Sequence, residues 1–146
     1  LQIPVLQKIE NAMEQEILEG IRLFNTQHYF EAHEALEAVW LKATGDRKTF
    51  LHGLIQVAAA FHHYTRGNGA GFRSLLEKGC SKLEPFGTEF EGIDLASLML
   101  QLQPWREHLR QPSHRAPPAP QPSPLSPLPP PLPLPKIRWI NPPERD

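Results

Sequence analysis

The sequence predicts an all-α fold: a compact bundle of about five helices in antiparallel hairpins, followed by a proline-rich extended C-terminal tail. Three observations predict it. Apolar residues recur every three or four positions through most of residues 1–111, and no segment alternates apolar and polar side chains over a useful length. Of the 17 prolines, 14 fall in the 35 positions 112–146, which leaves 1–111 as the stretch able to bury a core. Short turns bearing Gly or Asn separate the periodic stretches at Asn25-Thr-Gln, Gly45-Asp and Gly67-Asn.

The first helix follows from Leu6, Ile9, Met13, Ile17, Ile21 and Phe24, spaced by Lys8, Glu10, Glu14, Glu16 and Glu19, an amphipathic pattern that ends near Asn25. A second reads from Tyr29 to Thr44 and stops at Gly45. Asp46 is placed to cap a third, about Arg47 to Arg66, which Gly67 closes. Asn68 is the expected N-cap of a fourth, Gly69 to Leu83, ended by the approach of Pro85. Asp94 caps a fifth, whose stripe Leu98, Leu102, Trp105 and Leu109 continues across Pro104 and is expected to bend there. A weak echo at an offset of 40 aligns Phe24–Ala32 with Tyr64–Phe72, in the manner of a tetratricopeptide-type helix pair.

Residues 112–146 form the tail, expected to be largely extended or disordered, with polyproline II backbone through Pro135. Lys136-Ile-Arg-Trp-Ile is its one hydrophobic cluster. Trp139 and Ile140 are the expected anchor, on this domain or on another protein. Removal of Pro112 onward is expected to leave the helical domain folded.

Charge excludes some partners. Residues 1–111 carry 11 Lys and Arg against 14 Asp and Glu, and the tail carries 4 against 2, so no basic patch is available for nucleic acid. The most apolar run, Gly53–Phe61, contains Gln56 and is far shorter than the ~20 residues of a membrane span, so no membrane partner is expected. The single cysteine, Cys80, at helical spacing from Leu76 and Leu83, reads as core; with no intrachain disulfide possible, a cytoplasmic location is expected. Trp40 and Trp105 also read as core.

One polar cluster stands out. On a helical wheel centred on Leu36, His33 falls inside the apolar arc of the second helix and Glu37 lies four residues on, within reach of the imidazole, whereas Glu34 points outward. The third helix is apolar almost all round except for a stripe of Thr49, His52, Gln56, Ala59, Ala60 and His63. The tight turn at Gly45 makes these helices antiparallel neighbours, so His33, Glu37, His52 and Gln56 are expected to converge. Such a cluster has three uses: a satisfied polar network that fixes helix register, a first shell for zinc or iron from His33, Glu37 and His52, or a His33/Glu37 acid–base dyad. The spacing His-Glu-x-x-Glu is not the His-Glu-x-x-His signature of zinc hydrolases, and no nucleophile accompanies the dyad. The first use is favoured.

The segments Phe24-Asn-x-x-x-Tyr-Phe-Glu-Ala-His33-Glu34-x-x-Glu37-x-x-Trp40, Phe50-Leu-x-Gly-Leu-Ile-Gln56-x-Ala-Ala-Ala and Gly67-Asn68 together resemble the domain-of-unknown-function family 309, from about Glu19 to Phe86. The resemblance implies a small all-helical bundle and no particular reaction. It implies that His33, Glu34, Glu37, Trp40, Gly53 and Gln56 are the family's shared motif positions. The expectation is therefore a non-catalytic binding or interaction module using His33, Glu34, Glu37, Trp40 and Gln56 for a protein or small ligand. The competing expectation is a metal-binding protein or metal-dependent hydrolase using His33, Glu37 and His52.

Overall fold

The computed structural model describes residues 5–110, 132–140 and 142–143. Five helices follow one another: α1 (Val5–Asn25), α2 (Tyr29–Lys42), α3 (Gly45–Thr65), α4 (Gly69–Leu83) and α5 (Leu95–Arg110). A single 3-10 turn (Glu84–Phe86) and a hairpin of two-residue strands, β1 (Glu89–Phe90) and β2 (Ile93–Asp94), join α4 to α5. Helix α3 is central, packed between α2 and α4. That position accounts for its nine buried residues, from Phe50 to Phe61, and for its lack of a single polar face.

The aromatic side chains stitch the layers together. Phe61 on α3 meets Trp105 of α5 edge-on (centroids 5.2 Å apart, 90°) and Phe72 of α4 at 5.1 Å. Phe24 of α1 meets Tyr29 at 5.3 Å and 75°. Edge-to-face geometry sets the positive ring edge against a negative face, adding about 0.5–1.5 kcal/mol per pair beyond area burial. Helices α3 and α4 approach closely because Gly53 and Gly79 face each other. A β-carbon on Gly79 would stand 3.0 Å from the Gly53 carbonyl oxygen and 3.1 Å from the Val57 nitrogen. Cys80 is fully buried beside this crossing, and burial pushes its thiol pKa up to about 11, which keeps it a core residue.

The 40-residue echo corresponds to a repeated turn geometry. Gln27 and Gly67 both sit at positive φ, 68° and 76°. The N–H of the next residue returns to the carbonyl five positions back, His28 to Leu23 (2.8 Å) and Asn68 to His63 (2.9 Å). Each is a Schellman-type closure of one helix that launches the next. Glycine accepts this conformation without strain and glutamine does not. The exposed Gln27→Gly change is therefore expected to stabilise the chain by about 0.5–1 kcal/mol, read as a rise in the urea unfolding midpoint with an unchanged slope.

Several expectations need correction. Asp46 does not cap α3: the helix starts at Gly45 after Thr44, which makes no side-chain cap, and Asp46 lies in the first turn, where its charge complements the helix dipole. Helix α2 ends at Lys42, not Thr44. Asn68 and Asp94 do cap, accepting from the N–H groups of Gly71 and Ser97 at 3.0 Å each. Helix α5 continues across Pro104, as expected; the missing N–H falls opposite the carbonyl of Leu100, a residue on the solvent face and 74% exposed. The hairpin was not expected. It turns at Glu91-Gly92, both at positive φ (48° and 85°), the geometry that matches strand twist.

The tail docks on its own domain, and the anchor is Ile137. This side chain is 1% exposed, Trp139 is half-buried against Ile93, and Ile140 is 56% exposed. Neighbouring residues of an extended chain face opposite ways, so Trp139 and Ile140 cannot both be anchors. Removal of Pro112 onward, expected to leave the helical domain folded, would take these contacts with it. Residues 111–131, most of the expected polyproline rod, lie outside the described residues.

Candidate functional site

Helices α2, α3 and α4 enclose a groove of about 230 Å³ lined by His33, Glu37, Trp40, His52, Ile55, Gln56, Ala59 and Leu75. Its polar members arise from the helical repeat: His33, Glu37 and Trp40 are spaced by four and three on α2, and His52, Gln56 and Ala59 by four and three on α3. The structure thus brings together five of the six residues singled out in the sequence. Glu34 is exposed on α2 and does not line the groove. Ile55, Ala59 and Leu75 complete the wall. Leu75 lies on α4, and only the tight α3–α4 crossing brings it there.

His33 Nε2 stands 3.5 Å from Glu37 Oε2, with the side chains 29% and 50% exposed. At that separation and exposure the contact is a weak polar one rather than a strong hydrogen bond. The other ring nitrogen, His33 Nδ1, is buried without a hydrogen-bond partner among the described residues, and so is Gln56 Oε1. Each is an exception to the rule that buried polar atoms are satisfied, worth about 1–3 kcal/mol when left unmade. These two atoms run against the expected self-satisfied network.

Trp40 is half-buried rather than core. Its ring lies 5.6 Å from His52 at 47°, and Lys48 Nζ sits 4.4 Å over its face. Beyond the groove mouth, the exposed Phe30 stacks on His33 (6.2 Å, 16°) and tilts against His62 at 5.3 Å, an aromatic rim that helical spacing alone did not single out. Among the described residues, no group of three His, Cys, Asp or Glu side chains is drawn together closely enough to hold a metal ion. His33, Glu37 and His52 share the groove but not a coordination sphere.

Burial, and then the positive charge of Lys82, holds the His52 pKa below the ordinary 6.5. His62 is lowered in the same direction, by burial first and then by Arg66 and His63. A depressed folded-state pKa means that below pH 6.5 the unfolded chain binds more protons than the folded one. Stability is therefore expected to fall as the pH drops from 6.5 through the folded pKa values. Melting temperatures between pH 5 and 7.5 should show this decline, and His52→Gln should make it shallower.

Among the described residues, no helix is long and apolar enough to cross a membrane. In comparison with known proteins, residues 17–75 match a family model described as "Domain of unknown function (DUF309)". The chain is similar to "Uncharacterized protein YpuF" of Bacillus subtilis (strain 168), 36% identical over 81 residues that cover 53% of this chain and 47% of that one. It is also similar to an "Uncharacterized protein" of Aquifex aeolicus (strain VF5), 30% identical over 81 residues that cover 55% of this chain and 24% of that one. The chain therefore spans less than half the length of either of these curated relatives. Every residue that lines the groove, from His33 to Leu75, lies inside the segment 17–75 over which the chain is similar to the DUF309 family model.

Proposed function

We propose that this chain is a non-catalytic binding module whose α2–α3–α4 groove takes a cationic or N–H-bearing head group on a short apolar body. The body would come from a small ligand or from one side chain of a protein partner. The observation that carries this reading is the pairing of an apolar wall with an acceptor that lacks a partner and a half-exposed carboxylate. Ile55, Ala59 and Leu75 supply the wall, while Gln56 Oε1 has no partner among the described residues and the Glu37 carboxylate stands half-exposed at the same groove. The Trp40 ring lines the same groove, with the Lys48 ammonium 4.4 Å from its centroid. The volume lies below the roughly 300 Å³ at which pockets for drug-sized ligands begin, so the fit is to a fragment or a single side chain.

Ligand-observed NMR with benzylamine as probe tests this reading. Saturation transfer is expected from the wild type and is expected to be lost in Gln56→Ala and in Trp40→Ala. No transfer from the wild type, or transfer unchanged in both variants, would count against the groove. Elemental analysis covers the competing use: stoichiometric zinc or iron that disappears in His33→Ala would replace this reading with a metal-binding protein or a metal-dependent hydrolase.

A further inference from the structure

Residues Leu132–Ile140 are held mainly by their main chain. The Pro133 carbonyl accepts from Trp105 Nε1 at 3.0 Å. The Gln101 side-chain amide takes both groups of Lys136, accepting from its N–H and donating to its carbonyl at 2.9 Å each. The Asn25 amide does the same for Ile137, at 2.7 and 2.8 Å. Beyond it, the Arg138 carbonyl accepts from the Asp94 N–H at 2.8 Å and the Ile140 N–H donates to the Gly92 carbonyl at 2.7 Å. Two side-chain amides thus mimic the paired N–H and C=O of a neighbouring strand, and the β1–β2 hairpin supplies a true strand edge. The segment buries little in return. Pro135 and Ile137 are buried and Trp139 is half-buried, while Pro133, Lys136, Arg138 and Ile140 face outward. Helix α3, by contrast, buries nine residues. Local opening is easiest where buried apolar contact is least, so the segment is placed to leave while the α3 core stays intact. Its bonds run in register along one extended chain, and the loss of one misaligns the next, which makes release all or none.

The segment lies beside a second cavity, of about 260 Å³, between α1, α3 and the hairpin. Ile17, Phe50, Leu51 and Ile93 line it from the domain, and Trp139 lines it from the tail. None of these residues belongs to the α2–α3–α4 groove. The turn on which the segment ends is strained. Glu91, next to Gly92, has a φ of 48°, a backbone conformation that a β-carbon resists. Arg47 of α3 holds its carboxylate in a fork, Nε and Nη2 each donating to Oε1 at 2.9 and 2.6 Å. Backbone strain persists where the surrounding contacts over-determine it, and such positions gather at clamps and switch elements. Here the fork on one side and the Ile140 bond to Gly92 on the other hold the same turn.

We propose that Leu132–Ile140 is a lid on this cavity, opening and closing as one unit while the five helices stay folded, with the Arg47–Glu91 fork setting how tightly it shuts. Opening takes away the Trp139 wall and leaves Ile17, Phe50 and Ile93 facing water, so the lid sets the access to the cavity.

Hydrogen exchange followed by NMR on the full-length protein tests the lid. The Trp105 Nε1–H and the amides of Asp94, Lys136, Ile137 and Ile140 are expected to share one protection factor, about 10²- to 10³-fold. The amides of Leu54 and Val57 inside α3 are expected to exchange more slowly. Gly92→Ala places a β-carbon at a φ of 85° and touches neither Trp105 nor Lys136, yet it should speed exchange at both about fivefold. Arg47→Met keeps the aliphatic stem and removes the fork, and should speed the same groups about two- to fivefold. Protection equal to that of α3 at all of these groups would overturn the proposal, because the segment would then open only when the whole chain unfolds. So would rates at Trp105 and Lys136 that ignore both substitutions, or groups that lose protection one at a time.

Discussion

Cutting the chain after Arg110 is expected to lower its melting temperature by about 10 °C or more. The loss has two parts. Ile137 is 1% exposed and surrounded by α1, the hairpin and α5, and removing a buried isoleucine side chain costs about 2–5 kcal/mol. The cut also strips the buried Trp105 of the partner of its Nε1 and the half-buried Asn25 and Gln101 of theirs, and each of these groups must then find water. For a chain of this size, 1 kcal/mol corresponds to about 3–5 °C. Calorimetry of the shortened chain beside the full-length protein checks the expectation, and equal melting temperatures would mean that the docked segment contributes nothing to stability. Ile137→Ala should reproduce part of the loss with the tail still attached.

Gly79→Ala is expected to destabilise the chain by about 1–3 kcal/mol, even though alanine is the better helix former by about 1 kcal/mol. A flexible side chain can step aside for a new methyl group. Here two of the three nearest atoms are backbone, the Gly53 carbonyl oxygen at 3.0 Å and the Val57 nitrogen at 3.1 Å, so α4 as a whole must lift away from α3. Gly53→Ala meets mainly Leu83 side-chain carbons, at 2.8 and 2.9 Å, inside the same crossing, and should also destabilise. Gly69→Ala is the control: nothing lies within 4 Å of the added carbon, and its effect should be neutral or slightly stabilising. Urea unfolding midpoints for the three variants separate a steric cost from a propensity gain. Because Leu75 reaches the groove only through this crossing, Gly79→Ala is also expected to weaken binding of the benzylamine probe.

The helices were legible because each rests on a local rule. Ile17, Ile21 and Phe24 repeat at helical spacing and are buried, and Asn68 and Asp94 have the short acceptor side chains that satisfy free N–H groups at a helix start. Asp46 misled because a good capping residue does not exclude the helix starting one residue earlier, on a glycine at positive φ. Trp40 misled because a wheel reports which face a residue occupies and not whether that face meets protein or a groove. The docked segment did carry a signal: Lys136-Ile-Arg-Trp alternates polar and apolar side chains as a strand does. Four residues are too short for that pattern to separate from chance, and the hairpin edge that gives it meaning lies more than 40 positions away.

The amino-acid order by itself determined the all-α class, the helix register and the neighbouring positions of His33, Glu37, His52 and Gln56, since all of these follow from spacings of three and four along one or two adjoining helices. Only the tertiary structure decided that Gln56 Oε1 and His33 Nδ1 lack partners among the described residues, that Leu75 closes the groove, and that Ile137 is buried while Ile140 is exposed. The reason is physical. Which face of a helix is apolar is a local property, but which atoms remain without a partner depends on how closely distant segments approach, and here two facing glycines and two side-chain amides set those approaches.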